Sequence, residues 1–139
     1  MNTQSEENKA IIRRYNHEGI AQGNLDTLHE LLAPDFINRS APEGTDAGPG
    51  GMCSFFLHIL RPALSNLEVE IYDQVAEGDK VTTRKALKGT HTGELLGLAP
   101  TNKPVLISVI DIYRLREGQL IEHWGLTTLS DVMAQLAAK

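Results

Sequence analysis

An aspartate interrupts the most apolar segment of the sequence. Residues 105–116 alternate in the way that is typical of a β-strand. One face of this strand carries Val105, Ile107, Val109, Asp111, Tyr113 and Leu115. A carboxylate on an apolar face is either paired with a donor or has a raised pKa. Both conditions occur in acid–base catalysts, and a structural aspartate held by arginine, tyrosine or backbone fits the pattern equally.

The next predicted strand supplies a histidine. Glu117 and Gly118 indicate a tight hairpin turn, and a strand follows over 120–126. This hairpin brings His123 near Asp111, and such a pair can move a proton because histidine titrates near neutral pH. The alternative is a half-exposed histidine at a strand end, since the sequence does not fix which face of the strand is inside.

Three other residues are candidates for contacts to a ligand. His91 lies in the segment GTHTG at 89–93, where a strand becomes a loop, although the glycines could serve the turn alone. Asn38 lies at the start of a long loop over 38–51 that is rich in proline, glycine and serine. Trp124 is the single tryptophan, and its large apolar ring suits a core position more often than a ligand platform.

Composition argues against several kinds of site and partner. The net charge is −5 and the thirteen lysines and arginines are scattered, so we expect no nucleic-acid partner. The five histidines lack the spacing of a metal site, and Cys53 is the only cysteine. We expect neither a metal nor a catalytic thiol. The N-terminus does not resemble a signal peptide and no apolar stretch suits a membrane helix, so we expect no membrane association and a cytoplasmic location.

The order of predicted elements indicates an α+β class. A length of 139 residues suits one domain, predicted over 1–139. Helical patterns occupy the first half: one helix ends at Gly23, a shorter one is capped by Asn24 and ended by Pro34, and a third surrounds Phe56. Strand patterns follow over 67–75, 81–88, 105–116 and 120–126, and a short helix over 129–136 ends the chain. Helices grouped before an antiparallel meander leave room for a ligand pocket between the two layers.

The segments together resemble the SnoaL-like polyketide cyclases of the nuclear transport factor 2-like superfamily. The resemblance rests on the order and spacing of NKA at 8–10, GNLD at 23–26, APDF at 33–36, VAEGDKV at 75–81, GTHTGE at 89–94, IDIYR at 110–114 and EGQLIEHW at 117–124. It covers nearly the whole chain.

The resemblance implies a cone-shaped α+β barrel. A curved antiparallel sheet would be closed by helices around an interior pocket, and the protein would be a homodimer or larger homo-oligomer. It also implies a cofactor-free enzyme that closes a ring by an intramolecular aldol step on a small, largely apolar carbonyl compound. Asp111 and His123 would be catalytic, and His91, Asn38, Val109 and Trp124 would contact the substrate. The principal catalytic aspartate of the cyclases aligns with Gly125, which cannot transfer a proton.

The glycine leaves several functions open. In one, Asp111 and His123 take over the acid–base role. In another, the chain catalyses a neighbouring reaction such as isomerisation. A non-enzymatic cone that binds a hydrophobic metabolite or forms a dimer is the main alternative, because fold does not fix function. A third is water addition to an epoxide, for which Arg84 or Arg39 would have to converge with Asp111 and Asn38 on one water molecule.

Overall fold

Helices cover one face of the sheet, and the first two follow one another closely. The computed structural model describes residues 3–138. Helix α1 (Thr3–Arg14) continues as a π-helical segment, Tyr15–Ala21. Helix α2 (Leu25–Leu31) starts at Asn24, whose side chain accepts a hydrogen bond from the backbone N–H of Thr27 at 3.2 Å. Asn24 is therefore the N-cap that the sequence predicts.

In the sequence, the remaining helices come before the second strand of the sheet and after its last strand. Helix α3 (Pro49–Ser54) runs into a second π-helical segment, Phe55–Leu60, and then into α4 (Arg61–Ala63). Helix α5 (Leu129–Ala137) follows the last strand, close to its predicted bounds. None of the helices within residues 3–138 combines the length and the apolarity needed to cross a membrane.

Five strands form one sheet. They are β1 (Leu32–Asn38), β2 (Leu64–Glu77), β3 (Lys80–His91), β4 (Pro104–Arg116) and β5 (Gln119–Thr127). Their spatial order is β1-β5-β4-β3-β2, and β2 to β5 form the predicted antiparallel meander. Register shifts in β2, at 65–68 and 71–73, are bulges of the kind that bend a strand and increase its twist.

Strand β1 was not predicted. The sequence pattern predicts that the second helix ends at Pro34 and leads into a loop, whereas the helix stops at Leu31 and the chain continues directly as a strand. This strand pairs with β5 in parallel, so the sheet is not wholly antiparallel. Pro34 is tolerated because β1 lies at an edge of the sheet, where a missing backbone donor breaks no ladder. The sheet keeps two edges and does not close on itself.

The core lies between the helices and the inward face of the sheet. Tyr15 of the first π-helical segment packs edge-to-face against Phe56 and Tyr113, with ring centroids 6.3 and 5.3 Å apart. Phe36 of β1 also stacks on Tyr113, with ring centroids 6.5 Å apart. Apolar burial of this extent is the main stabilising term of such a domain. The α+β class, with a curved sheet and helices on one face, is confirmed.

Candidate functional site

Asp111 lies on the inward face of β4 and is only 3% exposed. The alternation of β4 is as predicted, since Val105, Ile107, Val109, Tyr113 and Leu115 are buried with it. Thr83 on β3 and Gly125 on β5 are its direct neighbours across the sheet. A carboxylate at this depth requires a charged or hydrogen-bonding partner.

Lys85 supplies that charge, although the sequence pattern did not predict it as a site residue. Its Nζ lies 3.2 Å from Asp111 Oδ2, and both side chains are 3% exposed. Nζ also donates to Asn16 Oδ1 at 2.5 Å, and the Asn16 amide donates to the backbone carbonyl of Ile12. The signal was the alternation of β3, which places Lys85 on the same face as the buried residues Val81, Thr83 and Leu87.

His123 is the second partner of Asp111. Its Nε2 lies 3.7 Å from Asp111 Oδ2, which is an electrostatic contact rather than a hydrogen bond. Its Nδ1 lies 2.7 Å from Asn38 Oδ1. That oxygen also accepts from the backbone N–H of Ser40 at 3.0 Å, which fixes the orientation of the amide. Nδ1 must therefore carry a proton and donate it, and in neutral histidine Nε2 is then a free base.

These neighbours determine the charge of Asp111. Burial acts to raise the pKa of the Asp111 carboxyl, but the Lys85 ammonium and His123 together outweigh it and hold the pKa below its ordinary value. Asp111 is ionised at neutral pH. Its Oδ2 faces both partners, whereas the buried Oδ1 has no hydrogen-bond partner among the described residues. One carboxylate oxygen thus keeps its capacity to accept a hydrogen bond.

Two buried tyrosines adjoin this group. Tyr113 packs against the His123 ring at a centroid distance of 4.5 Å, and its hydroxyl donates to that of Tyr15 at 3.1 Å. Burial raises the pKa of both hydroxyls, so both keep their protons. Two hydroxyl groups that share one hydrogen bond leave one O–H hydrogen over, and the described residues show no acceptor for it.

His91 is buried but belongs to a different part of the molecule. Its Nδ1 accepts from the backbone N–H of Thr101 at 3.2 Å, so a neutral ring carries its proton on Nε2. Nε2 has no partner among residues 3–138. Eight positions of β3 separate His91 from Thr83, the neighbour of Asp111, which is about 25 Å along an extended strand. His91 therefore lies several residues along the sheet from Asp111.

Val109 and Trp124 lie on opposite faces of the sheet. Val109 is buried on the inward face, two positions from Asp111. Trp124 pairs with Ile112 on the outer face, and the Lys80 ammonium lies 5.6 Å from its ring centroid. Of the residues predicted to contact substrate, Asn38 and Val109 lie beside Asp111 and His123, whereas Trp124 and His91 do not.

The arginines expected for an epoxide reaction do not converge on Asp111. Arg84 pairs with Asp73 and Arg39 with Glu122, in ion pairs whose arginines are exposed. The cation beside Asp111 is the ammonium of Lys85 instead.

Two surface clefts lie away from Asp111. A cleft of about 290 Å³ is lined by His29, Leu32, Pro34, Pro49, Gly50, Cys53 and Gln119. A second, of about 540 Å³, lies at the β2–β3 turn around Gly78. Burial raises the pKa of the Cys53 thiol, which leaves it unreactive at neutral pH. No cluster of three potential metal ligands occurs within the described residues.

The sequence of the chain matches a known family over most of its length. Residues 10–136 match the profile of the SnoaL-like polyketide cyclases. The nogalonic acid methyl ester cyclase of Streptomyces nogalater is 23% identical over 115 residues, which are 82% of this chain and 86% of that enzyme.

Solved structures show the same fold. A SnoaL-like protein of Jannaschia sp. CCS1 is 26% identical, with a TM-score of 0.86 over 100% of this chain and 97% of its own. TsrD of Streptomyces laurentii is 21% identical, with a TM-score of 0.85 over 100% and 99%. An epoxide hydrolase of M. tuberculosis is 14% identical, with a TM-score of 0.70 over 96% and 91%. The last two show likeness of fold alone.

Proposed function

The chain belongs to the SnoaL-like polyketide cyclase family, and from this premise we propose that it is a cofactor-independent acid–base enzyme acting on a small, largely apolar carbonyl compound. One observation carries the proposal. A buried, ionised carboxylate, Asp111, has one unpaired oxygen and lies beside His123, whose free nitrogen is set by its bond to Asn38. Groups perturbed in this way are concentrated at functional sites.

The specific reaction we propose is an intramolecular aldol cyclisation. A proton next to one carbonyl is removed, and the resulting enolate carbon attacks a second carbonyl, whose oxygen takes up a proton. Isomerisation by proton transfer would use the same first step. Asp111 and His123 act as the base together, because two coupled groups titrate as a pair.

Within the pair, His123 is suited to hold the proton. Imidazole is a stronger base than a carboxylate, and the pKa of Asp111 is held low. Once His123 is protonated at Nε2, Asp111 Oδ2 faces the new positive charge at 3.7 Å. Asp111 Oδ1 remains free to accept a hydrogen bond from a hydroxyl group of the substrate.

A donor for the developing enolate oxygen is supplied by Tyr15 and Tyr113. Their pair has one hydroxyl hydrogen to spare, and Tyr113 contacts His123. A protonated phenol in a buried site stabilises an oxyanion without reorganisation. Substrate would enter beside His123, whose side chain is 12% exposed and therefore more accessible than that of Asp111.

The test is exchange of an acidic C–H proton. The protein is mixed in D₂O with β-keto ester and 1,3-diketone probes, and loss of the α-proton signal is followed by NMR. We expect catalysed exchange, reduced by about 10²- to 10⁴-fold in both Asp111→Asn and His123→Gln. Asp73→Asn, at an exposed ion pair, is the matched control and should keep the natural rate. Exchange that survives in both site variants would refute the assignment.

A binding protein without catalysis is the second candidate. It is favoured by the low pKa of Asp111 and its ion pair with Lys85, which are features of a structural carboxylate. A natural protein that binds apolar carbonyl compounds but exchanges no proton on any probe would support this candidate.

We also propose that the protein forms a homodimer or larger homo-oligomer. The outer face of the sheet carries exposed apolar side chains, which are Tyr72, Val75, Leu106, Ile110 and Leu126. Apolar clusters of this kind on a protein surface mark interaction sites. Light scattering of the natural chain and of Ile110→Lys would test this, with a monomeric natural chain as the contrary outcome.

A further inference from the structure

His123 reaches Asp111 across a position that has no side chain. Gly125 lies directly opposite Asp111 on the neighbouring strand, and His123 precedes Gly125 by two positions on the same face. A Cβ atom at position 125 would lie 2.9 Å from both Cε1 and Nε2 of the His123 ring. The imidazole therefore occupies the space that a side chain at 125 would fill.

A side chain added at position 125 would clash with His123 but not with Asp111 on the neighbouring strand. A Cβ at 125 would meet Asp111 Cβ at 3.5 Å, which is ordinary van der Waals contact. The histidine ring cannot easily give way, because Nδ1 is bonded to Asn38 and one ring face packs on Tyr113. To make room, the ring would have to leave either these partners or Asp111.

The backbone itself gives no reason for a glycine here. Gly125 is absent from the glycines with positive φ, so any residue could adopt its conformation. Its N–H donates to Ser40 Oγ at 2.8 Å, which any residue other than proline could do. A glycine inside a strand weakens it, and close approach of another group is a usual reason for its presence.

We propose that Gly125 is a positioning residue, whose missing side chain gives the His123 imidazole its place beside Asp111. The space next to Asp111 at position 125 is then not empty, because the histidine ring fills it from two positions away. The catalytic consequence rests on the proposed function, whereas the geometric claim does not.

The sharpest test is a double-mutant cycle that needs no substrate. Gly125→Ala is made in the natural chain and in His123→Ala, and thermal unfolding is followed by circular dichroism. We expect Gly125→Ala to lower the Tm by several degrees in the natural chain and to leave it unchanged or raised in His123→Ala. An equal loss in both backgrounds overturns the proposal. If Gly125→Ala alone fails to fold, recovery of folding in the double variant supports it, and failure of both overturns it.

Gly50→Ala is the matched control for this cycle. Gly50 is the second residue of α3 and is exposed, and an added Cβ would meet only the end of the Asp46 side chain, at 3.2 Å. We expect its effect on the Tm to be the same with and without His123. A cycle that shows the same coupling for Gly50 as for Gly125 overturns the specific role of Gly125.

A second readout follows the carboxylate directly. His123 contributes to the lowered pKa of Asp111, so Gly125→Ala should move the ¹³C titration midpoint of the Asp111 carboxyl upward. A crystal structure of the variant should show the Nε2–Oδ2 separation increased beyond 3.7 Å. An unchanged midpoint with an unmoved ring contradicts the proposal. Absence of proton exchange on every probe, with the coupling intact, would refute the proposed enzyme and not the role of Gly125.

Discussion

Lys85 and Asp111 form an ion pair of 3.2 Å in which neither side chain is more than 3% exposed. Removing two charges from water carries a large desolvation penalty, and a pair of this kind adds little net stability over apolar residues of similar volume. Loss of one partner is different, because it leaves the other charge buried and uncompensated.

We therefore expect Lys85→Met alone to lower the free energy of unfolding by about 3–5 kcal/mol. The double variant Lys85→Met/Asp111→Leu should regain most of this loss. Urea unfolding followed by fluorescence measures both. Lys88→Met is the control on the same strand, because Lys88 pairs with Glu70 at the surface and should have little measurable effect. A double variant as unstable as the single one would contradict this account.

The stability of the folded protein should depend on pH because Asp111 ionises more readily in the folded state. Its pKa in the folded protein lies below the unfolded value of about 3.9, so the carboxylate contributes stability above that pH and the contribution disappears as the pH falls through the folded pKa. The difference in urea midpoint between the natural chain and Asp111→Asn should be widest above about pH 4 and narrow below it. A difference that is constant from pH 3 to 7 would contradict this account, because it would mean that the Asp111 pKa is the same in the folded and the unfolded states.

The tautomer of His123 should depend on Asn38. In the natural chain, ¹⁵N NMR of the neutral ring should show the proton on Nδ1, since Nδ1 donates to Asn38 Oδ1. In Asn38→Leu this acceptor is lost, and the Nε2–H form should gain population because it can donate to Asp111 Oδ2. Asn38→Asp keeps an oxygen acceptor and should keep the natural tautomer. A natural chain in the Nε2–H form would remove the basis for His123 as a base.

The hydroxyl pair of Tyr15 and Tyr113 should have separable effects on stability and on chemistry. Either Tyr15→Phe or Tyr113→Phe removes one buried hydrogen bond and should lower the free energy of unfolding by about 1 kcal/mol in a urea titration. If the pair stabilises an enolate, Tyr15→Phe should also slow α-proton exchange on the diketone probes. Phe56→Leu removes a ring neighbour of Tyr15 without touching a hydroxyl and should not slow exchange in the folded protein.

The sequence predicted the meander and the inward position of Asp111, because a two-residue alternation assigns each side chain to a face. It paired His123 with Asp111 through the hairpin turn, and the two are in contact. It missed β1, because Pro34 is a strong signal for the end of a helix and an edge strand tolerates it. It missed Lys85, because a lysine between two strand residues is usually solvated and only its face on β3 indicates burial.

The positions of the proposed substrate contacts relative to Asp111 were the hardest feature to predict. Relative to Asp111, His91 lies far along β3, and Trp124 lies on the outer face of the sheet. The register of a hairpin decides on which face a residue such as Trp124 lies, because a shift of one residue exchanges the two faces. The overlap of His123 with the space beside Gly125 depends on side-chain orientation, which sequence spacing does not specify.

The parallel pairing of β1 with β5 has a consequence for the order in which the protein assembles. Lys85 and Asp111 belong to neighbouring strands of the meander, whereas Asn38 and His123 are 85 residues apart. Contacts between distant residues form late, because closing a long loop is entropically unfavourable until other contacts offset it. During synthesis on the ribosome, β1 therefore cannot pair with β5 until β5 has been made. The ion pair of Lys85 and Asp111 can therefore form before the contact between Asn38 and His123 that orients the imidazole.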